Sequence, residues 1–241
     1  MTWWSRFYTA LTFLTRLGRA SIASNAEISA SVDMYPLVGG VVGLFWVLAS
    51  CLPLASWVLA WLMVMLNIWL TRGLHWDGWA DLWDGWGSGT VGERFWEILK
   101  DSRVGAFGVM GLVCGLGVQA ALFERAIFLR AWPALILAPV LGRYCAVVLA
   151  ALGRKLSRPG LGRNTLAGAS SRALIFGGMT TLGAAFFSPI EHIACGTLLA
   201  VLVVFFLWCL ARRVHGLNGD FLGAGIVAGE LCGLLPWAVF S

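Results

Sequence analysis

Along the 241-residue chain, long apolar runs alternate with short polar intervals rich in arginine. Seven runs stand out, at roughly 36–52, 55–70, 104–123, 132–152, 173–188, 193–211 and 222–240. Each approaches the ~20 residues that a helix needs to cross ~30 Å of hydrocarbon. The pattern predicts an all-α, polytopic integral membrane protein with about seven transmembrane helices, forming a single domain over 1–241. Residues 3–17 differ, because Trp4, Phe7, Leu11 and Leu14 recur at helical spacing with Arg6, Thr12 and Arg16 between them. That is the pattern of an amphipathic helix lying in the interface. Ser21 to Asp33 is polar and reads as loop. Pro36 then opens the first span, whose Gly39, Gly40 and Gly43 permit close helix approach. Pro53 marks the turn into a second, shorter span that Trp57 and Trp69 extend at the interfaces.

Composition agrees with the pattern. The residues AVILMFWYC make up 59% of the chain and charged residues only 12%, about half the charged fraction of a soluble domain. The net charge of +5 does not point to nucleic acid, since the basic residues sit between apolar runs, where they set topology. With the N-terminus inside, fourteen Lys and Arg fall on the inner side, against Arg125 and Arg130 outside. The bias predicts a cytoplasmic N-terminus, an external C-terminus, a cytoplasmic active-site segment at 71–104 and cytoplasmic loops at 153–172 and 212–221. Met1 to Leu17 lacks the apolar core and small-residue cleavage site of a removable signal, so the first segment is expected to stay. The six cysteines are scattered singly through apolar segments and suggest neither a disulfide framework nor a zinc site.

The candidate chemistry lies between Arg72 and Arg103. Asp77, Asp81 and Asp84 stand at i, i+4 and i+7, within an arc of roughly 60° on a helix. Gly78, Trp79, Ala80, Leu82 and Trp83 make the other sides apolar. Three carboxylates on one stripe repel one another, and a divalent cation removes that cost. Hard oxygen ligands suit Mg²⁺, which takes one or two carboxylates together with waters and substrate phosphates. Lys100, Asp101, Ser102 and Arg103 follow, with two cations able to neutralise a diphosphate. A metal site beside cations suits phosphoryl transfer, with one of the aspartates or Asp101 accepting a proton. His75 points to a different side and reads as a substrate contact or a structural residue. Arg212 to Gly223 is a second candidate, with closely spaced glycines and Asp220. Arg143 and Glu230 lie inside spans, where a charge faces either a polar cavity or a partner, so each is a candidate substrate contact or half of a structural ion pair.

The runs GLHWDGWADLWDG and KDSRVGAFG, the early FLTRL, the YPLVGG of the first span, Arg143, and the late GLNGDFLGA with Glu230 together resemble the cobalamin synthases, the adenosylcobinamide-GDP ribazoletransferases. The likeness covers nearly the whole chain in order. It implies a multi-pass protein of the bacterial cytoplasmic membrane that uses Mg²⁺ late in vitamin B12 assembly. It also implies transfer of the cobinamide phosphate of adenosylcobinamide-GDP to α-ribazole or α-ribazole 5′-phosphate, with release of GMP. By the same resemblance Asp77, Asp81 and Asp84 hold the metal, Lys100 and Arg103 face the diphosphate, and His75, Asp101 and Asp220 belong to the matched motifs. Trp76 and Trp79 stand where leucine is usual, Leu82 and Trp83 replace a more polar pair, Thr71 and Arg72 alter the lead-in, and Asn218 replaces threonine. The resemblance leaves room for a homo-oligomer, or for other B12-assembly enzymes docked at the cytoplasmic loops.

Two other readings compete. CDP-alcohol phosphotransferases also space aspartates along a membrane-surface helix, but their pattern begins DGxxAR, whereas here Asp77-Gly78 leads to Ala80-Asp81 without an arginine. A transporter would place Arg143 and Glu230 at a midplane site, yet no inverted repeat is visible and the charged groups gather at one surface.

Overall fold

The computed structural model describes residues 1–19 and 23–240, and each of the seven apolar runs is helical in it. In chain order the helices are α1 (Trp3–Leu14), α2 (Asn25–Ala30), α3 (Tyr35–Ser50), α4 (Ser56–Thr71), α5 (Leu74–Gly87), α6 (Glu93–Lys100) and α7 (Ala106–Phe128). There follow α8 (Trp132–Leu152), α9 (Gly162–Gly168), α10 (Ser171–Ala185), α11 (Ile190–Arg213), α12 (Gly219–Leu234) and α13 (Pro236–Val239). Ser21 and Ile22, the start of the stretch expected to be loop, lie outside the described residues. The rest of that stretch departs from the expectation, because Ser24 and Glu27 form a reciprocal capping box that starts α2, and a 3-10 turn, Val32–Met34, leads straight into α3.

Among the described residues, five helical segments are long and apolar enough to cross a membrane: Val32–Ser50, Ala106–Phe128, Trp132–Leu152, Ile190–Arg213 and Gly219–Val239. A sixth is reached if α4 and α5, bent by 96° at their junction, form one broken span. The difference from the expected seven lies in the short helices, α4 with 16 residues and α10 with 15. Arg72 and Gly73 make the bend by adopting left-handed backbone, at φ 57° and 69°. The Arg72 guanidinium donates to the carbonyls of Thr12 and Phe13 at 3.2 and 2.6 Å, and the Arg16 amide donates to Leu70 O at 2.7 Å. The free carbonyls at the end of α1 are thus satisfied by the very residue that turns the chain.

The bundle is built around α8 and α12. They approach so closely that a Cβ on Gly229 would lie 2.7 Å from Gly142 Cα, which is how small residues let helices pack in lipid. At this crossing Arg143 and Glu230, exposed by 0% and 1%, form an ion pair at 2.7 Å. Arg143 also donates to Pro139 O at 3.0 Å, while the amides of Asn67 and Gln119 reach the other Glu230 oxygen at 3.2 and 3.3 Å. Four helices, α4, α7, α8 and α12, are tied at one point.

At one end of the bundle the polar segments meet. The Ser29 hydroxyl donates to Asn164 O, the Trp96 indole to Val214 O at 2.9 Å, and the Arg154 guanidinium to Ala169 O. The Arg158 guanidinium sits 4.5 Å from the Trp96 ring and pairs with Glu93. The segments assigned to one membrane side by their arginines therefore do share one end of the molecule.

Candidate active site

The site forms where α5 crosses the start of α12. Gly78 makes the crossing possible, since a Cβ there would stand 2.8 Å from Asp220 Cα. Asp77 and Asp81 flank this glycine along α5, so the close approach delivers Asp220 to them. The Asp81 carboxylate lies within electrostatic reach of those of Asp220, Asp77 and Asp84. Asn218 caps α12 by accepting from the amides of Asp220 and Phe221 at 3.2 and 3.5 Å, and its own amide donates to the Asp220 carboxylate at 2.6 Å. Asp77 is exposed, while Asp81 and Asp220 are half-buried. Among the described residues no cation pairs with any of the three.

Asp84, the third carboxylate of the stripe, has a structural role as well. Its two oxygens accept the backbone amides of Gly105 and Gly108, each at 2.7 Å. The N-cap position of α7 is Gly105, which has no side chain to satisfy the helix's free N–H groups. Asp84 supplies the missing acceptor from another helix and sets a negative charge at the positive end of the α7 dipole. Both oxygens are therefore engaged, and the acidic group at the crossing is Asp77, Asp81 and Asp220.

The KDSR stretch runs from the last residue of α6, Lys100, into the loop before α7. Asp101 accepts from the Arg103 backbone amide and Nε at 3.0 Å each and from Nη2 at 2.7 Å. Arg103 hydrogen bonds hold the Asp101 carboxyl down at about 2, so Asp101 is a poor proton acceptor at neutral pH. Lys100 and Ser102 are exposed beside this pair. Arg143 and Glu230, the candidate substrate contacts within the spans, face each other instead and are closed off by burial.

Beside the carboxylates lies a cavity of about 220 Å³. Asp77, Asp220 and His75 line it on the α5–α12 side, and Tyr35 and Thr165 on the α3–α9 side. His75 is buried, and its imidazole makes no hydrogen bond among the described residues. Tyr35 Oη and Thr165 Oγ1, also buried, lie 3.1 Å apart. Sequence reasoning marked His75 but missed Tyr35 and Thr165. The YPLVGG motif carried Tyr35 in view, whereas nothing in the chain near Thr165 announces a wall of this cavity.

The donor set fits a hard divalent cation. Among the described residues no three acidic, histidine or cysteine side chains converge into a complete metal cage. Mg²⁺ does not require one, because it binds through one or two carboxylates and completes its shell with waters and phosphate oxygens. Three carboxylates without a cationic partner, on two helices held in register by a glycine contact, match that requirement.

Comparison with known proteins gives the chain a family. The chain matches the family Cobalamin-5-phosphate synthase over residues 6–238. It is 48% identical over 237 residues to an adenosylcobinamide-GDP ribazoletransferase of Nitratidesulfovibrio vulgaris (strain Miyazaki F), covering 96% of this chain and 94% of that one. Proteins of the same name from Syntrophobacter fumaroxidans and Brevibacillus brevis are 37% and 33% identical, over 92% and 95% of this chain and 93% and 96% of theirs. No solved structure matches the chain. With the match spanning nearly its full length, the chain belongs to the cobalamin-5-phosphate synthase family.

Proposed function

We propose that this protein is a Mg²⁺-dependent adenosylcobinamide-GDP ribazoletransferase. It joins the cobinamide phosphate to a ring hydroxyl of the ribose of α-ribazole, or of α-ribazole 5′-phosphate, whose 5′ oxygen is already esterified, and releases GMP. The observation that carries the reading is the meeting of Asp77, Asp81 and Asp220 beside a cavity, in a chain of this family. One or two of these carboxylates would hold Mg²⁺, which when bound supplies positive charge to the diphosphate and makes its phosphorus more electrophilic.

The chain's own residues do the rest. A new bond forms between the acceptor oxygen and the cobinamide-side phosphorus, and the bond from that phosphorus to the bridging oxygen breaks. GMP leaves with the bridging oxygen, and the hydroxyl proton passes to a carboxylate of the Asp77, Asp81, Asp220 group. Lys100, exposed at the end of α6, contributes positive charge toward the diphosphate, and Arg103 joins it when its pairing with Asp101 opens. Asp84 keeps its place in the site as the brace of α7.

The same reading places the protein in the bacterial cytoplasmic membrane, with seven crossings, α4 and α10 included, and the carboxylates toward the cytoplasm. The arginine bias along the sequence supports that orientation. The test is GMP release from adenosylcobinamide-GDP and α-ribazole by the purified protein in proteoliposomes, with and without Mg²⁺. Release that requires both substrates and the metal is expected. Absence of GMP, or transfer from CDP-diacylglycerol to an alcohol instead, would overturn the assignment.

A further inference from the structure

The cavity beside the carboxylates is small and mostly apolar. Phe13, Leu14, Leu74, Ala146, Leu222 and Ile226 form its greasy walls. Its volume of about 220 Å³ suits a bicyclic aromatic ring and is several-fold too small for a corrin. Three bicyclic bases occur among the proposed substrates: the adenine and guanine of adenosylcobinamide-GDP and the benzimidazole of α-ribazole. The two purines carry donors and acceptors along their edges, and burying these against apolar walls without partners is costly. The benzimidazole of α-ribazole has two methyl groups and one unsubstituted ring nitrogen, so it asks for little more than apolar walls and a single hydrogen-bond donor. The cavity offers that balance. His75, 4% exposed, lines it with an imidazole that has no hydrogen-bond partner among the described residues. A neutral imidazole has one N–H to donate.

The remaining polar groups of the cavity are distributed in a way that fixes orientation. The Tyr35 and Thr165 hydroxyls are already bonded to each other, and the Tyr35 ring is stacked on Phe13, with centroids 6.2 Å apart. The carboxylates of Asp77 and Asp220 lie on the wall toward the α5–α12 crossing. We propose that this cavity is the acceptor-base subsite: it takes the flat apolar base of ribazole, with His75 donating to its ring nitrogen, and leaves the ribose ring hydroxyls beside Asp77 and Asp220. The inference rests on the proposed ribazole transfer, to which it adds a place for the acceptor. It also identifies cavity size as what selects which lower-ligand bases are accepted. A bulkier base is excluded by Ala146 and Leu222, and a purine leaves polar edges unpaired.

The experiment uses the full chain in nanodiscs with two cavity-filling variants, Ala146→Phe in the wall and Leu161→Trp at the rim. Leu161 is 69% exposed, so its replacement leaves folding intact even if Ala146→Phe fails to insert. KM is measured separately for α-ribazole and for adenosylcobinamide-GDP, and α-ribazole binding is measured by equilibrium dialysis without the second substrate. The expected result is a KM for α-ribazole raised about tenfold or more, with the KM for adenosylcobinamide-GDP unchanged and dialysis binding lost in parallel. An unchanged KM for α-ribazole in an active protein, or equal rises in both KM values, would overturn the subsite. If the wild type releases no GMP, the reaction reading fails by itself. The dialysis arm still decides the cavity, because binding of α-ribazole that both variants abolish upholds it and binding that neither affects sinks it.

Discussion

Replacing Asp84 by asparagine separates the bracing of α7 from metal binding. In the structure Asp84 accepts two backbone amides at 2.7 Å and neutralises the start of α7. Hydrogen bonds to a charged group contribute about 1.5–3 kcal/mol each, and a neutral one about 1 kcal/mol. Asparagine keeps one acceptor but turns its own NH₂ toward the second amide, and it loses the attraction to the helix dipole. Because Asp84 is only half-buried, the net loss is about 2–3 kcal/mol, which for a chain of this size corresponds to a melting point lower by about 5–10 °C. Tryptophan fluorescence during heating in detergent reads this directly, and turnover below the transition gives the second measurement. Asp84→Asn should melt early yet reach half-saturation at about the wild-type Mg²⁺ concentration. Asp81→Asn should do the reverse, melting with the wild type while turnover falls by about 100-fold or more. An Asp84→Asn protein that melts normally but needs about tenfold more Mg²⁺ would show that its oxygens bind metal and that the bracing role is mistaken.

Further expectations follow from the same geometry. Glu230→Leu leaves Arg143 charged and alone in the core and should cost about 3–5 kcal/mol, whereas the double variant Glu230→Leu with Arg143→Met should recover most of that. Melting curves of the two singles and the double close the cycle, and an additive result would mean that the pair is not coupled. Gly78→Leu forces α5 away from Asp220 and should abolish turnover while leaving the protein inserted; wild-type turnover would show that Asp220 is dispensable. Asp101 is depressed to about 2 by Arg103, so the charged pair is formed above the unfolded carboxyl's ordinary value of about 3.9 and is lost only as pH falls through the folded value. Asp101→Asn should therefore leave the shape of the pH–rate profile unchanged between about pH 5 and 9. Disappearance of an acid limb in that window would make Asp101 the base.

Much of this architecture is legible in the chain because lipid imposes a simple rule, that a crossing segment must be apolar and helical. All seven apolar runs obey it. The count is less secure, since α4 and α10 have the composition of spans without the length. The bend at Arg72 and Gly73 left no periodicity to detect, because it depends on backbone φ and on α1 carbonyls far away in sequence. The aspartate stripe was visible as spacing, but spacing cannot say which oxygens are already engaged. The bare N-cap of α7 explains why Asp84 accepts two amides of that helix. Asp220 was visible as a weak motif, and it joins Asp77 and Asp81 through a glycine contact that no local pattern encodes. Arg143 and Glu230 were each conspicuous, and their pairing across 87 residues became apparent only in three dimensions.

The grip of Arg72 on the last carbonyls of α1 has a mechanical meaning. Trp3 and Trp4 leave α1 with an aromatic, exposed beginning, the kind of residue that settles among lipid headgroups. Because the same residue holds the end of α1 and turns the chain between α4 and α5, the amphipathic helix and the acidic helix are fastened to one joint, and neither can be displaced without straining the other.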